Sequence, residues 1–433
     1  MTAMTVSILS AHKTAPESPA RPIAFARLQA RTGAGANLVR IAEALAPQFA
    51  ERALEHDRDG SYPFEAIASL KEAGYFLAPF DGSLGGLGVV SVHDLAVASS
   101  RLAQGDPSVA IGVNMHLSVA GNLARRWRMA KASGNERRLQ IMTSTIRSIV
   151  EDATVIATAT SEPGQDLGRP STTATRVENG WLINGRKIFG TMSPAADLFF
   201  VSVGFPDADG NQMFGYVRVP AAAPGLTILN DWDALGMRAS GSHGLRLENV
   251  LVPGNALPGG FPAGRLTSGY IEGNLTAGLY HAAASLGIAE SAHALAVDSL
   301  ARKRDRGSDS RPSEITDIAA NSIDLSAMRA SLSRAGDLID DAFARYPASD
   351  VPFEDAVCLF AEVQASKAFV NRTAQAVVDR ALALSGGAGF MSGHPLSRAY
   401  RDVRAGAFMH PLGANRALEF LAEAALGDVP ALR

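Results

Sequence analysis

Cysteine is nearly missing from this chain: Cys358 is the only one in 433 residues. An intrachain disulfide is therefore impossible, and no cysteine-based zinc site can be built. No other metal-ligand set suggests itself, so no metal is expected. Charge of one sign is also lacking. Forty Lys and Arg against 43 Asp and Glu leave a formal net charge of −3, which gives no electrostatic footprint for nucleic acid. No apolar run reaches the length of a membrane span. Residues 1–25 are rich in Ala, Ser and Pro without an apolar stretch behind a basic start, which argues against a secretory signal. A cytoplasmic protein is expected. What is present is an ordinary globular composition, 47% hydrophobic and 19% charged, on a chain too long for one compact core.

The periodicity divides the chain into a tail and three parts. Residues 1–27 read as a flexible tail. Residues 28–150 carry helical spacing: Leu38, Ile41, Ala42, Leu45, Phe49 and Leu54 fall on one face. Further helices are expected at 63–73, 92–103 and 108–126, around a glycine-rich loop (Gly82 to Gly88) that lacks the strand and Lys-Ser/Thr context of a phosphate cradle. Residues 151–264 switch to short alternating, β-branched runs. Within them Asn184-Gly185 between apolar stretches predicts a hairpin turn, and the Pro/Gly-rich stretch 253–264 predicts a linker. Helical spacing returns over 265–433, broken at 302–314, 346–352, Gly386-Gly387 and around His410. The expected fold is thus α+β and multi-domain: an N-terminal all-α domain, a central small β-barrel and a C-terminal four-helix bundle.

Four motifs stand in order along this frame. They are Ala157-Thr158-Ala159-Thr160-Ser161-Glu162-Pro163-Gly164, then Asn184-Gly185-Arg186-Lys187-Ile188-Phe189-Gly190-Thr191. Next comes Leu235-Gly236-Met237-Arg238 leading to Glu248-Asn249-Val250-Leu251-Val252-Pro253, and last Gly386-Gly387-Ala388-Gly389-Phe390 leading to Arg401-Asp402. Over roughly residues 30–430 the chain resembles the acyl-CoA dehydrogenase fold superfamily. That fold serves two chemistries, so the resemblance fixes architecture more firmly than reaction. In dehydrogenases a glutamate abstracts the substrate α-proton; counted from Arg401-Asp402, its position holds His410, and the alternative position holds Ala277. Glu272, the nearest carboxylate, is more than a helical turn from Ala277. The family's Gly-Ser-Asp after the first motif is replaced by Gln165-Asp166-Leu167-Gly168-Arg169. These departures resemble the reduced-flavin-dependent monooxygenase branch, which includes dibenzothiophene monooxygenase, hydroxyphenylacetate hydroxylase and amino-sugar N-oxygenases.

The resemblance implies reduced flavin, FMN or FAD, as cofactor, supplied by a separate flavin reductase because no nicotinamide-binding βαβ unit is present. Oxygenation of a small, apolar or aromatic substrate by O2 through a flavin C4a-hydroperoxide is the expected reaction. A self-contained FAD-dependent acyl-CoA dehydrogenase is the alternative. The same resemblance places Thr158, Ser161, Phe189 and Thr191 at the flavin ring, with the Thr191 hydroxyl toward N5, and Arg304, Gly386 and Gly387 at its distal part. His410, before Pro411 at an expected helix break, is the proton relay, acid or base left open. Asn114 and His116 on an otherwise apolar helix, with Trp232, Ser240 and Ser242, are the candidate substrate-side residues. A homotetramer is expected by analogy.

Overall fold

The computed structural model describes residues 26–164, 168–428 and 432, so most of the expected tail and Gln165 to Leu167 lie outside the described residues. The first region holds α1 (Gly33–Asp59), α2 (Phe64–Glu72), α3 (Val92–Gly105), α4 (Pro107–Ala132) and α5 (Glu136–Glu151). Each start has a chemical reason. Thr32 caps α1 by accepting from the Gly35 N–H, and Asp106 caps α4 ahead of Pro107 at its first turn. Ser91 caps α3, while Asp340 from a distant helix also accepts from the Val92 and His93 N–H groups. Helix α5 has no counterpart in the sequence-based expectation. Its outer face is charged, and only Ile146 and Ile149 are buried, so its apolar stripe is too thin to stand out.

The middle region holds β1 (Ile156–Ala159), β2 (Thr173–Val177), β3 (Gly180–Gly190), β4 (Leu198–Pro206), β5 (Gln212–Pro220), β6 (Leu226–Ile228), β7 (His243–Val252) and β8 (Phe261–Pro262). They form one eight-stranded mixed sheet in the order β6-β7-β3-β2-β4-β5-β8, with β1 paired in parallel to β4. No ladder joins β6 to β8 among the described residues, so the barrel is open. Strands β1, β3, β4, β5 and β7 nevertheless share one core around Ile183, Phe199, Val201, Val217 and Leu247.

Two expectations fail in this region. Asn184-Gly185 is no hairpin turn; β3 runs straight through it, and the turn lies at Glu178-Asn179. Gly185 instead allows a register shift against β7, with φ 156° and Thr172 packed where a Cβ would stand. The stretch 253–264 is not merely a linker either, since Phe261–Pro262 closes the edge of β5. Inside the sheet, Lys187 donates to Glu162 at 2.5 Å, and the same carboxylate accepts from the Ser171 and Thr172 N–H and hydroxyl groups. Burial alone would raise the Glu162 carboxyl; these donors hold it down to about 2.

The C-terminal region is built on three long helices, α6 (Ser268–Asp305), α7 (Pro312–Arg345) and α8 (Phe353–Ser385), followed by α9 (Pro395–Asp402) and α10 (Ala414–Ala425). Helix α10 packs on α8 through the edge-to-face pair Phe360–Phe420 and supplies the short fourth member of the bundle. Gly278 lies against Gln364 and Lys367, and Ser285 donates to Asn371, so α6 and α8 run parallel. Helix α4 crosses antiparallel to α6, with Asn114 reaching the Tyr280 carbonyl and Asn122 that of Gly273. The helical, β, helical order holds as expected. No helix among the described residues is long and apolar enough to cross a membrane.

Candidate functional site

Where β3 ends, the chain turns outward. Phe189 takes φ 57°, a left-handed conformation unusual for an aromatic residue, and the residue is 54% exposed. The indole of Trp232 meets this ring edge-on at 6.0 Å and is itself fixed by donation to the Met237 carbonyl. Two residues on, the Thr191 hydroxyl lies 2.8 Å from Ser242 Oγ, which lies 2.6 Å from Ser240 Oγ. The loop carrying both serines is stitched to 191–193: Met192 N–H donates to the Ser240 carbonyl and Ser193 N–H to that of Gly241. Gly241 must be glycine there. Its φ is 55°, and a Cβ would meet Pro194 and Tyr62 within 2.7 Å. Ser161 bridges to Ile188 beside this strand, and Thr158 on β1 directs its half-buried hydroxyl to Met115 Sδ at 3.2 Å. Thr158, Ser161, Phe189, Thr191, Trp232 and Ser242 thus belong to one region, the sheet's face toward α4, where Gly112 packs on Met192.

A second cluster of candidate residues comes from the segment after α9. Arg401 and Asp402, conspicuous in the sequence, do structural work. Arg401 forms a two-pronged pair with Asp57 of α1, and Asp402 accepts from the Met237 N–H at 2.6 Å. Gly236 fits beneath them only because it has no side chain. The pair therefore ties the end of α9 to both the N-terminal helices and the loop that leads to Ser240 and Ser242.

From this anchor the chain runs through a short 3-10 segment, Val403–Ala407, to His410. Nε2 of His410 lies 2.6 Å from Asn274 Oδ1 on α6. Beneath it, the Lys367 ammonium on α8 donates to the carbonyls of Met409, His410 and Leu412 at 2.5, 3.2 and 2.7 Å, clamping the loop. Burial, reinforced by the charge of Lys367, pushes the His410 imidazole down to about 4. Burial thus favours the neutral ring, in which one nitrogen carries a hydrogen and the other a lone pair. Glu272, the nearby carboxylate, is buried and turned elsewhere: Oε1 accepts from the Val351 N–H, and Oε2 lies 3.6 Å from the Arg125 guanidinium.

Several expected residues fall elsewhere. His116 is fully buried, with Nε2 on the Phe76 carbonyl at 2.8 Å and Nδ1 accepting from the Ile156 N–H at 3.0 Å. Asn114 is equally enclosed and holds the Tyr280 carbonyl. Both are core residues that bind α4 to its neighbours, and neither faces a substrate, because the few polar groups on a buried helix find partners inside it. Arg304 lies thirty residues beyond Asn274 along α6, roughly 45 Å at the helical rise. Gly386-Gly387 lies nineteen residues beyond Lys367 along α8, roughly 28 Å. Because α6 and α8 are parallel, these residues share the far end of the bundle, away from the Asn274–His410 end. Gly386 has φ 62° and ψ −152°, a conformation essentially confined to glycine.

Sequence inspection missed Asn274 and Lys367. Lys367 carried a signal: it shares the stripe Val363, Val370 and Ala374 on α8, where a lysine is out of place without buried acceptors. Asn274 gave none, since its role depends on a loop more than a hundred residues away.

The residues present suit a flavin. An exposed aromatic ring on a left-handed backbone, flanked by an indole and three linked hydroxyls, is a shelf for a flat, polar-edged ring system.

Comparison with known proteins agrees. Models described as acyl-CoA dehydrogenase N-terminal, middle and C-terminal domains match residues 39–127, 156–250 and 279–411. An L-evernosamine nitrososynthase from Micromonospora sp. is 33% identical over 397 residues, covering 92% of this chain and 91% of the relative. A putative acyl-CoA dehydrogenase of Bacillus subtilis is 31% identical, covering 85% of this chain and 91% of the relative. The solved structure of KijD3 in complex with FMN and dTDP-3-amino-2,3,6-trideoxy-4-keto-3-methyl-D-glucose superposes with a TM-score of 0.83 at 30% identity. It covers 93% of this chain and 96% of that one.

Proposed function

The chain belongs to the acyl-CoA dehydrogenase family, and on that premise we propose that it is the oxygenase component of a two-component flavin monooxygenase that N-oxygenates an amine. The observation that carries this reading is His410: a buried imidazole bonded to Asn274 where dehydrogenating relatives have a carboxylate, with Glu272 turned to Arg125 and the Val351 N–H. The nitrososynthase relative and the KijD3 complex with an amino-sugar nucleotide support an amine in place of the apolar or aromatic substrate expected from the sequence.

FMN is the proposed cofactor, held by Phe189, Trp232, Ser161 and the Thr191 hydroxyl. Reduced flavin supplies the electrons that let O2 deliver one oxygen atom to the substrate and leave the other as water. The balance is one amine, one O2 and one reduced flavin giving one hydroxylamine, one water and one oxidised flavin. The Thr191–Ser242–Ser240 chain offers hydroxyls that donate or accept as the flavin edge requires. His410 takes the proton released from substrate nitrogen as the N–O bond forms. Trp232 and Phe189 exclude water over the ring. Electrons come from a separate reductase, and a homotetramer brings Arg304 and Gly386-Gly387 of a neighbouring copy toward each flavin. Exposed Phe390 and Met391 beside those glycines support that assembly.

The test supplies the purified chain with FMN, NADH, a flavin reductase, air and a panel of primary amines. Hydroxylamine formation with matching O2 uptake is expected, and His410→Ala should lower it by on the order of 10²-fold or more with flavin binding nearly unchanged. Bleaching of bound FAD by an acyl-CoA under nitrogen, with no O2 consumed by any amine, would overturn the proposal.

A further inference from the structure

An imidazole can offer either ring nitrogen to a substrate, and here the protein has already chosen. His410 Nε2 is 2.6 Å from Asn274 Oδ1, and an amide oxygen only accepts. The amide cannot turn round, because Asn274 Nδ2 donates to the Tyr270 carbonyl one helical turn back at 2.8 Å. A flipped amide would set two acceptors against each other there. Nε2 must then carry the proton, which leaves the lone pair on Nδ1. Turning the ring about its Cβ–Cγ bond would put the carbon Cε1 in place of Nε2 and lose the bond to Asn274. The backbone that carries the ring is held by Lys367, which donates to the carbonyls of Met409, His410 and Leu412.

We propose that Asn274 is a positioning residue that fixes His410 as its Nε2–H tautomer and so assigns Nδ1 as the atom that removes the substrate proton. This rests on the reading of His410 as the base. The amide is a choice of charge over shape. Aspartate has nearly the same outline, but a carboxylate at 2.6 Å would hold the ring as imidazolium and remove its basicity. The other ionisable groups around the ring offer no such anion. Lys367 faces it from α8, His281 from α6, and Tyr216 from β5 reaches the Asn274 amide. Glu272, two residues before Asn274, is turned to Arg125 and the Val351 N–H.

The experiment uses the full-length protein labelled with 15N-histidine and read by solid-state NMR, with the His410 signals identified by their loss in His410→Gln. In the wild type at pH 7, a protonated Nε2 and a bare Nδ1 are expected. In Asn274→Asp both nitrogens should be protonated at the same pH. Turnover should then fall about 10²-fold and recover as pH is raised, with KM little changed. Wild-type protein carrying its proton on Nδ1, or Asn274→Asp with unaltered signals, would overturn the proposal even if either variant's activity were lost to misfolding. Correct tautomers in a protein that oxygenates no amine would instead count against the proposed function alone.

Discussion

Lowering pH from 7.5 to 5 should weaken the fold through His116, and the size of the effect follows from two hydrogen bonds. The ring accepts the Ile156 N–H at Nδ1 and donates from Nε2 to the Phe76 carbonyl, so a second proton would have to be placed on Nδ1, against a donor. Burial pushes the group from 6.5 down to about 4. A folded-state value below the unfolded one means that the unfolded chain binds the extra proton first. Stability from His116 is therefore intact above pH 6.5 and is lost as pH falls toward 4. The loss amounts to about 2 kcal/mol at pH 5 and about 3 kcal/mol once protonation is complete. His116→Gln keeps one donor and one acceptor without a titrating ring. The variant should be somewhat less stable at pH 7.5, by about 1 kcal/mol, yet lose much less between pH 7.5 and 5. Urea unfolding at half-unit pH steps compares the two slopes. Equal slopes would refute the argument, since nothing else distinguishes the proteins across that window.

Phe189→Gly should remove a left-handed aromatic residue without emptying any core, so the fold should hold or gain up to about 1 kcal/mol. Flavin affinity should fall by roughly five- to tenfold as one ring contact of about 1 kcal/mol disappears; a destabilised variant with unchanged fluorescence titration would contradict both halves. Light scattering should return four times the 45.3 kDa chain mass. A 45.3 kDa species that still binds flavin with full affinity would remove the need for a neighbour's Arg304 and Gly386-Gly387.

The three regions differ in how their chemistry depends on one another. The middle and C-terminal regions supply the candidate residues, and the N-terminal helices anchor them through Asp57. Phe189 and Thr191 come from the end of β3, Ser240 and Ser242 from the loop before β7, His410 from the segment after α9, and its partner Asn274 from α6. Arg401 and Asp402 keep these in register by gripping α1 and Met237 at once. Mutations there would be expected to act on activity through position, although neither residue faces the shelf.

The sequence by itself determined the order of architecture. Helical spacing, then alternation, then helical spacing again is a local property, and burial of one stripe or one face follows from it wherever the chain is placed. It also singled out His410 and the Phe189–Thr191 strand end as candidates, because unusual residue types at fixed offsets are visible without coordinates. Local signals misled where a distant neighbour took over: Asn184-Gly185 is kept in strand by pairing with β2 and, across a register shift, with β7, and α5 is held by two isoleucines. Only tertiary structure decided protonation and partnership. His116 and His410 are the same side chain on apolar-looking segments, yet backbone partners hold both nitrogens of one, and a side-chain amide holds Nε2 of the other. That difference depends on which groups from far along the chain lie within three ångströms, and hydrogen-bond geometry at that range is not encoded in spacing or composition.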